Sequence, residues 1–382
     1  MIPVKDPLCP LVLSDWMVKP YKSLVPLRTQ RNASLSFVEY VRCVFLRPYR
    51  LHQLRNVIPT NRDLGNQSLE RNECMENKML QVKEEIKKAV KGKDEVVEKV
   101  LAAMLAGGHI LLEDIPGVGK TTLAMSIAKS MSLSYKRVQF TPDVLPSDIV
   151  GFSMYNQNTQ TFEYQQGAVY CNLFLADEIN RTSPKTQSAL LEVMEEGNVT
   201  VDGVTRPLPT PFTVIATENP LGSSGTQMLP ESQLDRFMVC LSMGYPEHEA
   251  AVDILKENAK QHLSLLENAI SIEEFENLRK KTNDMYVHDS IYEYIVTLIE
   301  GTRTNALFSM GASPRGSIAL LRMAKAMAVL NGRDYVTPED IRKVFIDVLG
   351  HRVKLSTKAR AEGKNTEEAL NELFNGVKVP RT

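Results

Sequence analysis

The 382-residue sequence has a single tryptophan, and its five cysteines are scattered without a CxxC pair or a Cys/His spacing suited to a metal. A small disulfide-stapled fold is thereby excluded, and Cys9, Cys43, Cys74, Cys171 and Cys240 read as free thiols in a reducing compartment. No apolar run approaches the roughly 18 residues of a membrane span, and the best N-terminal candidate, Leu11 to Val18, is broken by Asp15. A surplus of one charge is missing too: the formal net charge is −1, so nothing global points to nucleic acid. What is left is a cytoplasmic globular protein with room for two or three units.

Residues 1–74 differ from the rest. Eleven Lys/Arg against six Asp/Glu give this segment +5 and leave −6 for the remainder. It carries Trp16, three of the five cysteines, and prolines that break up any long element. It reads as an atypical extension, either a partner-binding or targeting arm or the product of a misassigned start, with translation expected at Met75 or Met79.

From Glu76 the pattern is regular. Helices are expected from Val82 to Val90 and from Asp94 to Ala106, the second closed by Gly107-Gly108. Short apolar runs at Ile110 to Leu112, Tyr135 to Phe140, Leu173 to Ala176, Phe212 to Ala216 and Met238 to Leu241 alternate with helical stretches, which predicts an α/β parallel sheet over residues 75–245. Residues 246–358 read as a smaller, separate all-α domain, with helix starts marked by Ser313-Pro314 and Thr337-Pro338. Residues 359–382 read as a loose polar tail.

Asp114-Ile115-Pro116-Gly117-Val118-Gly119-Lys120-Thr121 lies between a strand and a helix and reads as a P-loop. Its glycines let backbone amides wrap a phosphate chain, Lys120 supplies a point charge and Thr121 a hydroxyl for Mg²⁺. Pro116, Gly117, Val118, Gly119, Lys120, Thr121 and Thr122 are therefore the expected ATP contacts, although Asp114 stands where the strict motif has glycine. The strand Leu173 to Ala176 delivers Asp177 and Glu178 at its C-terminal end, one suited to hold the metal, the other to polarise a water. Asn219, after another strand, is placed to orient that water, and Arg236 and Arg315 suit a phosphoryl group. An Asp202-Gly203 turn predicts a hairpin over Val199 to Thr205.

Taken in order, Leu112 to Thr121, Gln139 to Asp143, Leu145 to Ile149, Ala176 to Arg181, Pro184 to Glu192, Val201 to Gly203 and Leu234 to Phe237 resemble the MoxR family of AAA+ ATPases, a branch with an insertion in the second helical region of its core. The resemblance runs from Val90 to about Val353 and makes Asp114 normal for the loop. It implies Lys120 and Thr121 as Walker A, Asp177 and Glu178 as Walker B, Asn219 as sensor 1, Arg236 as arginine finger and Arg315 as sensor 2. It also implies Val90 and Gly92 near the adenine, with Lys93 where glutamine is frequent. Hexameric rings, von Willebrand factor A domain partners and chaperone-like maturation of other complexes come with the family. Residues 1–74 have no counterpart in it.

Three functions follow: an ATP-driven protein remodeller, a nucleotide-dependent scaffold with little turnover, or a nucleic-acid motor. The full set Lys120, Asp177, Glu178, Asn219, Arg236 and Arg315 favours the first. A hairpin without lysine or aromatic residues speaks against the third. The site is expected at the seam between the α/β core and the helical lid.

Overall fold

A computed structural model describes residues 78–219, 228–256 and 263–380, so the expectations for residues 1–74 lie outside it. Nine strands belong to the α/β part: β1 (Ile110–Glu113), β2 (Tyr135–Gln139), β3 (Gly151–Asn156), β4 (Thr161–Gln166), β5 (Leu173–Asp177), β6 (Asn198–Val201), β7 (Val204–Pro207), β8 (Thr213–Glu218) and β9 (Val239–Leu241). Five of them form one parallel sheet in the order β2-β5-β8-β1-β9. β5 is apolar at every position but its last, and β8 is buried at every position, as parallel strands between helical layers must be.

Alternation along each strand divides the core. Ile110 and Leu112 of β1, Leu173 and Leu175 of β5 and Val239 of β9 join one hydrophobic cluster with Leu320, Met323 and Phe345 of the helical region. Leu111, Phe174, Ala176 and Val214 face the other way, toward Leu190 and Leu191 of the helix Pro184–Glu196. The helical region expected as a separate unit therefore shares its core with one face of the sheet.

The helices begin where their caps dictate. Ser313 accepts from the Arg315 amide at 3.1 Å, and Thr337 forms a capping box with Asp340. The supposed loose tail is a correction: Thr366–Gly376 is a helix burying Ala369, Leu370, Leu373 and Phe374. Those four residues make one apolar stripe, Asn365 and Glu368 cap its start, and the Phe374 ring meets Phe345 edge-on at 5.0 Å. Polarity of the whole segment hid the stripe.

The hairpin β6–β7 is present, with Asp202 and Gly203 both left-handed (φ 52° and 74°), as a tight two-residue turn requires. A second hairpin, β3–β4, interrupts the connection from β2 to β5 and was not expected, because its turn, Gln157-Asn158-Thr159-Gln160, carries neither glycine nor proline. It exposes Phe152, Met154, Tyr155 and Phe162, the last 74% accessible. The Arg206 guanidinium lies 4.0 Å from the centre of the Tyr164 ring and ties the two hairpins together. Aromatic residues are thus at hand beside the β6–β7 hairpin, which has none of its own, and neither hairpin has a lysine.

Candidate functional site: two cavities

The carboxyl ends of β1, β5 and β8 meet at a cavity of about 340 Å³ lined by Asp114, Pro116, Gly117, Gly119, Lys120, Thr121, Asp177, Glu178 and Asn219, with Arg137 and Gln139 from β2. This is where open parallel sheets place ligands. Gly117 and Gly119 have φ of 89° and 98°, conformations that L side chains rarely adopt. No side chain caps the helix Lys120–Ser130, and its first turn has no acidic residue, so its leading amides are available to an anion. That arrangement fits a polyphosphate.

Lys120 donates to the Asp114 carbonyl at 2.7 Å. Burial pulls its pKa below the usual lysine range, and the carboxylates of Asp114, Asp177 and Glu178 partly offset this. The Asp114 carboxylate points away from the cavity: it accepts from Ser242 Oγ at 2.9 Å and from the Gly244 amide at 3.0 Å, and also from the Met243 amide. The unusual aspartate therefore fastens the loop to the segment that leaves β9.

Thr217 Oγ1 donates to Asp177 Oδ1 at 2.7 Å and accepts from the Glu178 amide at 2.8 Å, holding the two acidic residues in register. Arg137 pairs with the other Asp177 oxygen at 2.6 Å. Glu178 is left-handed (φ 57°, ψ 51°), a strained backbone for a non-glycine residue and a common mark of a working site. Its carboxylate is paired with Arg181 at 2.6 Å. Asn180 Nδ2 donates to the Asn219 carbonyl at 3.4 Å, which links the segment after β5 to the end of β8. Sequence reasoning missed Arg137 and Thr217; Thr217 was visible as a polar residue ending an apolar strand.

One position along, Glu218 of β8 is buried opposite Glu113 of β1. Burial, reinforced by the Glu113 charge, pushes its pKa up to about 7. The Cys240 thiol of β9 is hydrogen-bonded to Glu113, and burial raises its pKa too.

Val90 and Gly92 do not line this cavity: Val90 is buried in the core and Gly92 turns against Ala250. Arg236 and Arg315 do not line it either. They line a second cavity, also about 340 Å³, between the helix Pro184–Glu196 and the helical region, with Glu195, Asp235, Arg322 and Arg352. Arg236 donates to the Leu191 carbonyl at 2.9 Å, and both Arg236 and Arg315 form ion pairs with Glu195. Arg236, expected to reach a neighbouring copy's phosphate, thus lies apart from its own chain's loop, and Arg315 lies with it. The helical region lines the second cavity, whereas the phosphate loop's cavity is lined by residues of the α/β core alone.

Asp235 holds the second cavity together. It accepts from Ser313 Oγ at 2.9 Å and from Arg352 Nε at 2.9 Å, joining the Arg236 segment to the cap of the helix that carries Arg315. His109 is buried and neutral, its pKa lowered to about 4 by burial; it contacts the Met194 carbonyl at 2.9 Å and accepts from the Val214 amide at 3.0 Å. The end of the helix Pro184–Glu196 is thereby fixed to the sheet.

Residues 109–239 match the family described as the ATPase family associated with various cellular activities, and residues 300–373 match the AAA lid domain. Chaperone MoxR1 of Mycobacterium tuberculosis is 38% identical over 312 residues, 78% of this chain and 81% of that protein. An uncharacterised Bacillus subtilis protein, YeaC, is 50% identical over 298 residues, 78% of this chain and 93% of its own. A crystal structure from Cytophaga hutchinsonii superposes with a TM-score of 0.76 at 37% identity, covering 83% of this chain and 99% of that one. With the loop, the acidic strand end and the lid all in place, the chain belongs to the MoxR family of AAA+ ATPases.

Proposed function

We propose that this ATPase hydrolyses Mg·ATP at a site shared between neighbouring copies in a ring, hexameric as the family resemblance implies, and uses the cycle for chaperone-like remodelling or activation of a partner protein complex. The observation that carries this reading is the separation of the phosphate loop from Arg236 and Arg315 into two cavities. A head-to-tail contact sets one copy's arginines against the next copy's loop, which a single chain cannot do.

Within that site Gly117, Gly119 and the first amides of the helix cradle the phosphates, and Lys120 neutralises their charge. Thr121 and Asp177 are the residues that would hold Mg²⁺, which supplies charge neutralisation across the phosphates. Glu178 swings from Arg181 to take the proton of the attacking water, and Asn219 orients that water. Arg236 and Arg315 stabilise charge on the phosphoryl group from across the boundary. Pro116, Val118 and Thr122 shape the cradle, while Val90 and Gly92 bear on adenine only through the turn they form.

The partner is a protein, a von Willebrand factor A domain protein or another client. The hairpins offer apolar and uncharged polar groups with Arg206 as their one cation, a poor surface for a phosphate backbone. No helix among the described residues is long and apolar enough to cross a membrane, and the free Cys171 and Cys240 suit a reducing cytoplasm.

The test is ATPase rate per subunit against protein concentration, for the wild type and Arg236→Ala. A rate that rises with concentration and collapses in the variant is expected. Equal, flat rates would mean an ATP-dependent binding scaffold instead.

A further inference from the structure

Glu195 presents each of its carboxylate oxygens to a different guanidinium: Oε2 to Arg236 and Oε1 to Arg315. Two oxygens on one atom, each held by a separate guanidinium, is also how a phosphoryl group is held. The cavity has four arginines and two acids; Arg352 and Asp235 are committed to each other, which leaves Arg236, Arg315 and Arg322 against Glu195 alone. It therefore favours a ligand more highly charged than one carboxylate.

The position of Glu195 breaks a local rule. It lies in the last turn of the helix Pro184–Glu196, which holds Glu192, Glu195 and Glu196 and no basic residue, although the negative end of a helix disfavours carboxylates. His109 on Met194 and the left-handed Gly197 fix that turn rigidly, so the carboxylate is aimed. A side chain kept against its helix has its counterweight elsewhere, here in the two arginines.

We infer that Glu195 is an internal stand-in for the phosphoryl group that Arg236 and Arg315 serve, a latch that a neighbour's nucleotide must displace. This rests on the shared-site reading above. All three side chains are partly exposed, at 39%, 30% and 49% accessible, so the latch is weak enough to exchange. Its effect is on the threshold for productive contact between copies, and the chemical step is untouched.

The experiment is Glu195→Gln beside Arg236→Ala in the full chain, with ATPase rate per subunit followed over a protein dilution series. Sedimentation with a non-hydrolysable ATP analogue is run in parallel. Glu195→Gln should lower the protein concentration for half-maximal rate by about fivefold, the size of two lost surface ion pairs, and leave the plateau within about twofold. Assembly should likewise occur at lower analogue concentration. A plateau that falls at unchanged half-maximal concentration, or curves identical to wild type in both measurements, would overturn the latch. Wild-type curves for Arg236→Ala would overturn the shared site itself, an outcome the same plates report separately.

Discussion

The two cavities are of similar size and opposite equipment. The phosphate-loop cavity has glycines, open amides, one lysine, two acids at a strand end and Arg137, which is paired with one of them; the other has four arginines and no glycine-framed cradle. The phosphate cradle is in the first and the cluster of arginines in the second. On the proposed shared-site reading a single folded chain holds two half-sites, and loss of either should be repairable by a subunit that retains it.

That comparison breaks most visibly if mixing fails. Arg236→Ala should cut turnover by about a thousandfold, and Lys120→Ala should abolish nucleotide binding. An equal mixture of the two inactive proteins should recover about a quarter of the wild-type rate, because one contact in four then joins an intact loop to an intact arginine. No recovery would place the arginines in the service of their own chain. Glu178→Gln sharpens the first cavity alone: binding of a fluorescent ATP analogue should persist while kcat falls by about a hundredfold, and mixing with Arg236→Ala should bring no recovery at the Glu178→Gln loops.

Smaller effects separate architecture from chemistry. Asp114→Gly restores the strict loop motif yet removes a buried acceptor of three hydrogen bonds, and should cost about 4 kcal/mol in denaturant unfolding. Glu218 is raised to about 7 from an ordinary 4.5, so the folded state binds its proton more tightly than the unfolded chain. Its contribution to stability is complete below pH 4.5 and is lost as pH rises through 7. Glu218→Gln should flatten that dependence, gaining about 3 kcal/mol over the wild type at pH 8 relative to pH 4.5.

Much of this was legible from residues alone. All five sheet strands, the helix starts at Ser313 and Thr337, and the convergence of Lys120, Asp177, Glu178 and Asn219 follow from short-range pattern and chain order. Less legible was anything decided by side chains meeting across the fold. Glu195 reads as one more surface acid on a polar helix face until Arg236 and Arg315 are brought to it from 41 and 120 residues away. The helix Thr366–Gly376 was concealed by composition, and the β3–β4 hairpin by a turn of uncharged amides and a threonine. The place of Arg315 could not be foreseen, since a sequence gives its order after the loop but not which side of the sheet its helix packs against.

Asp114 carries one last implication. The loop that grips phosphate and the strap that leads from β9 to the helical region are tied by a single side chain. A shift of the loop would be felt at residues 242–244 through those hydrogen bonds, and through the buried Met243 at the core. The residue that breaks the motif thereby couples the phosphate loop to the segment that leads toward the lid.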